Sequence, residues 1–181
     1  MSITTDTRQS LPVGTWVLDP VHSTIGFEVS YLSGAFRGQF GEVNARFDTG
    51  ATPVLAGSAK VANVDVKDEN LAAHLQSPDF FDAERYPELS FESSEIDRDE
   101  DRITVRGGIK IKGVEKPVEL TGTITEPITD AYGRERFGLK LETTVDRTEF
   151  GVSWNLPLPD GNPALADEVK LTAELYFVKE A

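Results

Sequence analysis

Apolar and polar residues alternate with a period of two along most of this chain. Between Ser23 and Tyr31 the apolar side chains of Ile25, Phe27 and Val29 share one face, and the residues between them are polar or small. Because successive side chains of a strand point to opposite faces of the sheet, this alternation is typical of a strand with one buried face. The segment is therefore predicted to be a half-buried β-strand.

The same alternation recurs along the rest of the chain. It is found at residues 43–47, 59–61, 89–93, 103–111, 118–124, 137–145 and 169–177. A short apolar run at 16–18 brings the prediction to eight or nine strands. Most are separated by turn sequences, such as residues 112–115 and 130–133, and such short connections indicate antiparallel neighbours.

Two segments depart from this alternation. Asp68 is a residue type that caps helix N-termini, and Leu71 and Leu75 follow it four residues apart, so a short amphipathic helix is predicted over 68–75. The stretch 155–166 contains three prolines and a glycine, which is too rich in helix and strand breakers for regular structure. We interpret it as a long loop over one barrel mouth.

The strand set predicts an all-β fold closed into a barrel. A sheet of many up-and-down strands has two unpaired edges, and closing the sheet pairs both. A barrel of about eight strands is wide enough inside for packed side chains or for one small ligand. For a chain of 181 residues we expect one domain over 14–179, preceded by a flexible segment at 1–13.

Aromatic residues are placed where they would line a lumen. Five of the ten phenylalanines lie at inward positions of predicted strands, and five lie in or beside connections. Alternatively, the same rings only fill a packed core. The small inward residues Gly107 and Ala173 favour the channel over the packed core. Strands of about 9 residues at ~3.3 Å each give a lumen close to ~30 Å long, which suits an extended chain. The candidate ligand-binding residues are Phe27, Val29, Phe36, Phe40, Phe47, Leu75, Phe80, Phe81, Phe91, Ile109, Ile111, Phe137, Leu141, Phe150, Trp154 and Leu175.

The charge balance restricts the possible partners. The chain has 18 Lys and Arg residues against 31 Asp and Glu residues, a net charge of −13. Such a surface repels phosphate backbones, so no nucleic acid is predicted as a partner. Residues 1–10 are polar, and no stretch approaches the ~20 apolar residues of a membrane span. We therefore expect a cytoplasmic protein with no stable membrane insertion.

Residues with catalytic or metal-binding potential are few. The chain has no cysteine, and its two histidines, His22 and His74, lie far apart in sequence, which disfavours a metal site. Asp19, His22 and Ser23 are triad residue types, but neighbouring strand residues point to opposite faces, so we interpret this stretch as a turn capped by His22. His74 is expected to pack under the loop and hydrogen-bond to backbone. No catalytic residue, metal or cofactor is predicted.

Five motifs resemble the landmarks of the YceI-like family. They are WVLDPVHSTIGFEV at 16–29, HLQSPDFFD at 74–82, YPELSFES at 86–93, GVEKPV at 113–118 and RTEFGV at 147–152. They occur in the family's order across most of the chain, and five linked motifs are much more specific than any one of them.

The resemblance implies an eight-stranded antiparallel, lipocalin-like β-barrel with a short helix and a long loop at the barrel mouth. Its apolar lumen would bind, and carry or store, a long-chain isoprenoid or other lipid-like amphiphile. The implied partner is a long-chain isoprenoid or acyl lipid, with an isoprenoid quinone or polyprenyl phosphate as candidates, and a homodimer is left open. Two alternatives remain: an enzyme acting on a lipid-like or small aromatic substrate in the same cavity, and a stress-response protein with a packed barrel that works through its surface.

Individual residues near the predicted mouth have different expected roles. Tyr31 stands where relatives often have His, and residues 71–72 stand where they often have an Arg-Asp pair. Roles carried by those positions do not transfer to this chain. Phe80 and Phe81 are expected to gate the lumen or to fasten a connection onto the barrel. Arg147 is expected to pair with a carboxylate in the barrel wall rather than to hold a headgroup.

Overall fold

The computed structural model describes residues 10–180, which fold into a single closed antiparallel β-barrel. The strands are β1 (Thr15–Leu18), β2 (Thr24–Tyr31), β3 (Gly34–Phe40), β4 (Asn44–Asp48), β5 (Val54–Lys60), β6 (Val64–Asp65), β7 (Glu88–Asp99), β8 (Arg102–Ile111), β9 (Val114–Ile124), β10 (Ile128–Thr129), β11 (Glu135–Asp146) and β12 (Leu165–Lys179). One α-helix, α1 (Glu69–Gln76), and two 3-10 turns, Val61–Asn63 and Arg147–Phe150, complete the chain.

The barrel wall consists of eight long strands, three of which are interrupted. β1 and β2 lie end to end along β12, and in the same way β4 and β3, and then β5 and β6, continue one another in the next two positions. The sheet continues through β7, β8, β9 and β11, and β11 pairs with β12 to close it. Every pairing is antiparallel. The predicted eight-stranded antiparallel barrel is confirmed.

Strand β3 was missed by the sequence prediction, which placed Phe36 and Phe40 in connections. The inward positions of β3 are Phe36, Gly38 and Phe40, so the glycine interrupts the apolar alternation. A Cβ at Gly38 would lie 2.4 Å from the Phe27 ring on the paired strand β2. Gly38 is therefore required to make room for that ring, and its presence hid the strand.

The predicted helix is confirmed, and it lies at one end of the barrel with the long loop. The Asp68 side chain accepts a hydrogen bond from the Leu71 amide (2.9 Å), as an N-cap does. The loop that precedes β12 is fastened by Asn155, whose amide group exchanges two hydrogen bonds with the backbone of Leu165 (2.8 and 2.9 Å). No helix within residues 10–180 has the length and apolar character to cross a membrane.

The opposite end of the barrel is closed by packed aromatic rings. Phe137 lies at the centre, with its ring centroid 4.8 Å from that of Trp16 and 5.3 Å from those of Phe47 and Phe177. All four side chains are buried. Close packing of this kind excludes water and ligand alike, so this end is a floor rather than a second mouth.

A buried arginine and the start of the described chain seal this floor from outside. Arg98 donates hydrogen bonds to the backbone oxygens of Glu100 (2.7 Å) and Ser10 (2.9 Å) and to the carboxylate of Glu126. The predicted flexible segment at 1–13 falls largely on residues 1–9, which lie outside the described residues. Of the remainder, Ser10 bonds Arg98, and the Pro12 carbonyl accepts a hydrogen bond from Thr49 (2.8 Å).

Gly107 has a different role from the one expected. Its small size does not open a channel, because a Cβ at this position would lie 2.2 Å from the backbone oxygen of Glu92 and 2.7 Å from the Cα of Ser93. The pairing of β7 with β8 shifts register between Ser93 and Glu95, as at a β-bulge. Gly107 therefore accommodates the close approach of the bulged backbone and adds nothing to the lumen.

The packed floor predicts an uneven distribution of stability along the barrel. We expect Phe47→Ala to reduce the free energy of unfolding by about 3–5 kcal/mol, because it removes a fully buried ring from a site that cannot collapse. The matched control is Phe36→Ala at the other end, where the ring is only half-buried, and its cost should be less than half as large. Urea denaturation measures both. Equal losses would show that the two ends are packed alike.

Candidate ligand-binding site

Two apolar cavities lie inside the barrel between the helix and the floor. The larger, about 320 Å³, is bordered by α1, the segment after it, the Arg147–Phe150 turn, the long loop, and strands β2, β3, β8, β11 and β12. The smaller, about 100 Å³, lies deeper, and its lining includes Ala45, Leu55, Leu120 and Ala173. Ile111 and Leu171 border both cavities, so these two side chains separate them.

Thirteen of the sixteen candidate ligand-binding residues border these cavities. Those at the larger cavity are Phe27, Val29, Phe36, Leu75, Phe80, Phe81, Ile111, Phe150 and Trp154. Those at the smaller cavity are Phe91, Ile109, Ile111, Leu141 and Leu175. The candidates therefore bring together side chains from six of the eight wall positions and from the mouth.

The other three candidates lie outside the lining of both cavities. Phe47 and Phe137 belong to the packed floor, because inward positions near the closed end meet rings from the opposite wall. Phe40 lies behind the lining, with its ring centroid 5.6 Å from that of Phe27 and 5.8 Å from that of Phe81. It supports two rings that border the larger cavity.

Several lining residues were not among the candidates. Val145, Val169 and Leu171 border the larger cavity. They lie in the alternating runs 137–145 and 169–177, so the sequence already predicts that they point inward with Leu141 and Leu175. Tyr31 also borders it and continues the alternating face of Phe27 and Val29. His74 and Arg147 border it too, but they lie in a helix and a 3-10 turn, where no strand period indicates an inward position.

The mouth is covered by an aromatic cluster that joins the helix to the long loop. The His74 ring on α1 contacts the rings of Phe80 (4.9 Å between centroids) and Trp154 (4.7 Å), and Phe80 contacts Trp154 (5.3 Å). His74 Nε2 lies 3.1 Å from the Asp79 carboxylate, so the expected backbone partner was wrong. The carboxylate fixes the orientation of the imidazole within the cluster.

Lys112 fastens the two covering segments to the wall. Its Nζ donates hydrogen bonds to the backbone oxygens of Pro78 (2.8 Å), after the helix, and Gly151 (3.1 Å), at the start of the loop. Lys112 lies in the turn between β8 and β9, with a positive φ of 51°. We call residues 69–82 and 147–156 together the lid, since this one ammonium group holds both.

Arg147 lies in the lid and is buried, with 6% of its surface exposed. Its Nε donates to the Ala166 carbonyl (2.9 Å), and its Nη1 donates to those of Val152 (2.7 Å) and Trp154 (2.9 Å). The expected carboxylate partner is Asp167, but its carboxylate oxygen lies 3.9 Å from Nη2, which is too far for a hydrogen bond. Burial lowers the pKa of Arg147, and the charge of Asp167 offsets this in part.

The residues resembling a catalytic triad form a turn on the barrel surface. His22 Nδ1 lies 2.7 Å from the Asp19 carboxylate, which also accepts from Arg136 (2.8 Å). Burial raises the pKa of Asp19, but these two partners outweigh it, so the pKa lies below its ordinary value. Ser23 Oγ donates to the Asp19 carbonyl (2.7 Å) and accepts from the Tyr176 amide (3.0 Å), so it holds the turn together. Among residues 10–180, no cluster of three potential metal-ligating side chains occurs.

Comparisons with known proteins agree with this architecture. A UPF0312 protein of Shewanella denitrificans is 30% identical over 165 residues, which cover 88% of this chain and 83% of that protein. BcnA of Burkholderia cenocepacia superposes with a TM-score of 0.72 at 20% identity, over 88% of this chain and 98% of that one. A polyisoprenoid binding domain from Saccharophagus degradans gives 0.72 at 10% identity, over 93% and 100% of the two chains.

The family itself is shown by the sequence. The model of the YceI-like domain matches residues 16–177, from the first wall strand to the last. That span includes both cavities, the lid and the packed floor. The chain therefore belongs to the YceI-like family.

Proposed function

We propose that the protein binds a long-chain isoprenoid or other lipid-like amphiphile in the barrel lumen, and carries or stores it. The observation that supports this most strongly is the pair of apolar cavities that meet at Ile111 and Leu171 beneath the lid. The solved Saccharophagus degradans domain of the same fold is described as polyisoprenoid binding. The predicted cytoplasmic location stays a prediction.

The cavity walls favour chain-like ligands over compact polar ones. The larger cavity reaches the range of ~300–1,000 Å³ that small-molecule sites occupy. Each buried methylene group contributes about 0.8 kcal/mol, so burying ten of them contributes about 8 kcal/mol without any directional contact. The affinity of an apolar lumen for a chain-like ligand therefore increases with the length of chain that it buries.

The lid is the route by which such a chain would reach the lumen. Most neighbouring wall strands are joined by long ladders of backbone hydrogen bonds, although β9 and β11 pair only from Thr121 to Ile124. The lid is held by side-chain contacts instead: the His74, Phe80 and Trp154 cluster joins its two segments, and the two bonds of Lys112 fasten both to the wall. Side-chain contacts exchange without unfolding the barrel, so uptake and release take place here.

The two-cavity arrangement predicts a limit on chain length that one substitution shifts. Ala173 borders the smaller cavity, and Ala173→Leu would fill much of its volume of about 100 Å³. We expect short prenyl or acyl probes to bind the variant as they bind the wild type. The longest probes should bind at least about tenfold more weakly, since the variant no longer buries two or more terminal carbons.

A length series of fluorescent probes, measured by direct titration, tests this limit. The matched control is Glu174→Leu, which adds the same side chain on the exposed outer face of β12. A variant that follows the wild type at every length would place the tail outside the smaller cavity.

The lid rings predict a second effect on binding. We expect the double substitution Phe80→Ala with Phe81→Ala to weaken binding of a fluorescent polyprenyl or fatty-acyl probe by at least about tenfold, because each ring buried against a tail contributes about 1.5–3 kcal/mol. Tyr132→Ala is the matched control, since this exposed ring lies in the turn before β11. Unchanged affinity in a folded double variant would leave the two rings with a structural role only.

A further inference from the structure

Arg147 has hydrogen-bonding capacity that its neighbours do not use. A guanidinium group carries five N–H bonds. In Arg147, the one on Nε and the two on Nη1 point to three backbone carbonyls. Nη2 is buried and has no hydrogen-bond partner among residues 10–180. A buried donor without a partner destabilises the protein, and more so when it is charged, so this position calls for an acceptor.

The charge of Arg147 is also incompletely balanced. The nearest carboxylate oxygen, on Asp167, lies 3.9 Å from Nη2, which is too far for a hydrogen bond, and the Asp167 side chain is 63% exposed to solvent. A buried charge is costly unless a counter-charge bonds to it directly. The three carbonyl groups contribute dipoles only.

A second buried arginine shows what complete pairing looks like in this protein. Arg98, at the floor, uses Nε and Nη1 for backbone carbonyls, as Arg147 does, but its Nη2 bonds directly to the carboxylate of Glu126. Arg147 bonds one backbone carbonyl more than Arg98 does, but it lacks the anion that Arg98 has at Nη2. The one that lacks this anion is the one that borders the larger cavity.

We propose that Arg147 binds the polar head of the ligand, and that this head is an oxygen anion, a carboxylate or a phosphate. The inference rests on the proposed lipid-binding function and names the class of lipid. Within the described residues, Arg147 is the one lysine or arginine that borders the larger cavity. The two N–H bonds on Nη2 are the ones left for such a head, and hydrogen bonds from a charged donor to carboxylate or phosphate oxygens are the strong ones.

The position of Arg147 also orients the ligand. The head lies beneath the lid, beside the His74 and Trp154 rings, and the tail extends past Ile111 and Leu171 towards the floor. The net charge of −13 opposes anion binding at long range, but charges more than about 8–10 Å away are largely screened at physiological salt. The local contact at Arg147 therefore decides the preference for the head.

The test compares heads on one tail in the wild-type protein. A saturated fatty acid, the primary alcohol and the alkyl phosphate of the same chain length are titrated at pH 8, where the acid is ionised. We expect the acid, the phosphate or both to bind about tenfold to a hundredfold more tightly than the alcohol, since bonds to a charged group are the strong ones. The acid and phosphate arms show which anion is preferred.

Two variants assign the preference to Arg147. Arg147→Gln should bring the ratio of anion to alcohol affinity close to one, and Arg147→Lys, which keeps the charge, should retain part of it. Arg37→Gln is the matched control, because Arg37 is an exposed arginine on the outer face of β3, paired with Glu28 (2.9 Å). It should leave the ratio unchanged.

The outcomes separate this proposal from the one on which it rests. If the acid, phosphate and alcohol bind the wild type equally, the anion site is wrong while lipid binding stands. If none of them binds, lipid binding itself is wrong. Both results come from the wild-type protein, so they do not depend on whether the Arg147 variants fold.

Discussion

Pairing between β11 and β12 is the interaction on which the rest of the structure depends. It joins eleven residue pairs, from Arg136 with Val178 to Asp146 with Glu168, and it turns an open sheet into a closed wall. The other edge of β12 pairs with β1 and β2, so the last strand of the chain is hydrogen-bonded to the first two. Without closure, the inward side chains would have no opposite wall, and neither a floor nor a lumen would form.

Closure alone does not decide what the barrel contains, and the two ends are filled differently. At one end, rings from β1, β4, β11 and β12 meet at centroid distances of 4.8–5.3 Å and leave no space. At the other, the walls are spanned by a helix and a loop, and the space beneath is bordered mainly by aliphatic and aromatic side chains. The floor supplies stability, which allows the mouth to be held by weaker side-chain contacts.

The alternation of apolar residues was enough to predict the barrel, because a strand with one buried face has a period of two whatever its partners are. It failed where tertiary contacts decide the residue type. Gly38 stands at an inward position of β3 because the Phe27 ring fills the space, and Gly107 is small because the β7 backbone bulges towards it. Neither neighbour can be read from the local sequence.

The apolar lining of the candidate site was also predictable from the alternation of apolar residues. Apolar lining residues follow the period of their strands, whereas the depth of a residue along the barrel axis does not appear in that period. Phe47 and Phe137 were therefore grouped with the lumen although they lie in the floor. The role of Arg147 depends on the carbonyl groups of Val152 and Trp154 in the lid and of Ala166 in β12, which come near its guanidinium group only in the folded chain.

The two hydrogen bonds of Lys112 have a consequence for the rate at which the barrel exchanges its contents. Because one ammonium group binds Pro78 on one side of the mouth and Gly151 on the other, neither covering segment can swing away while both bonds hold. The segments are also joined through His74 and Trp154. Opening of the lid is thus a concerted event, and the residence time of the ligand proposed above would be set by how often these contacts break together.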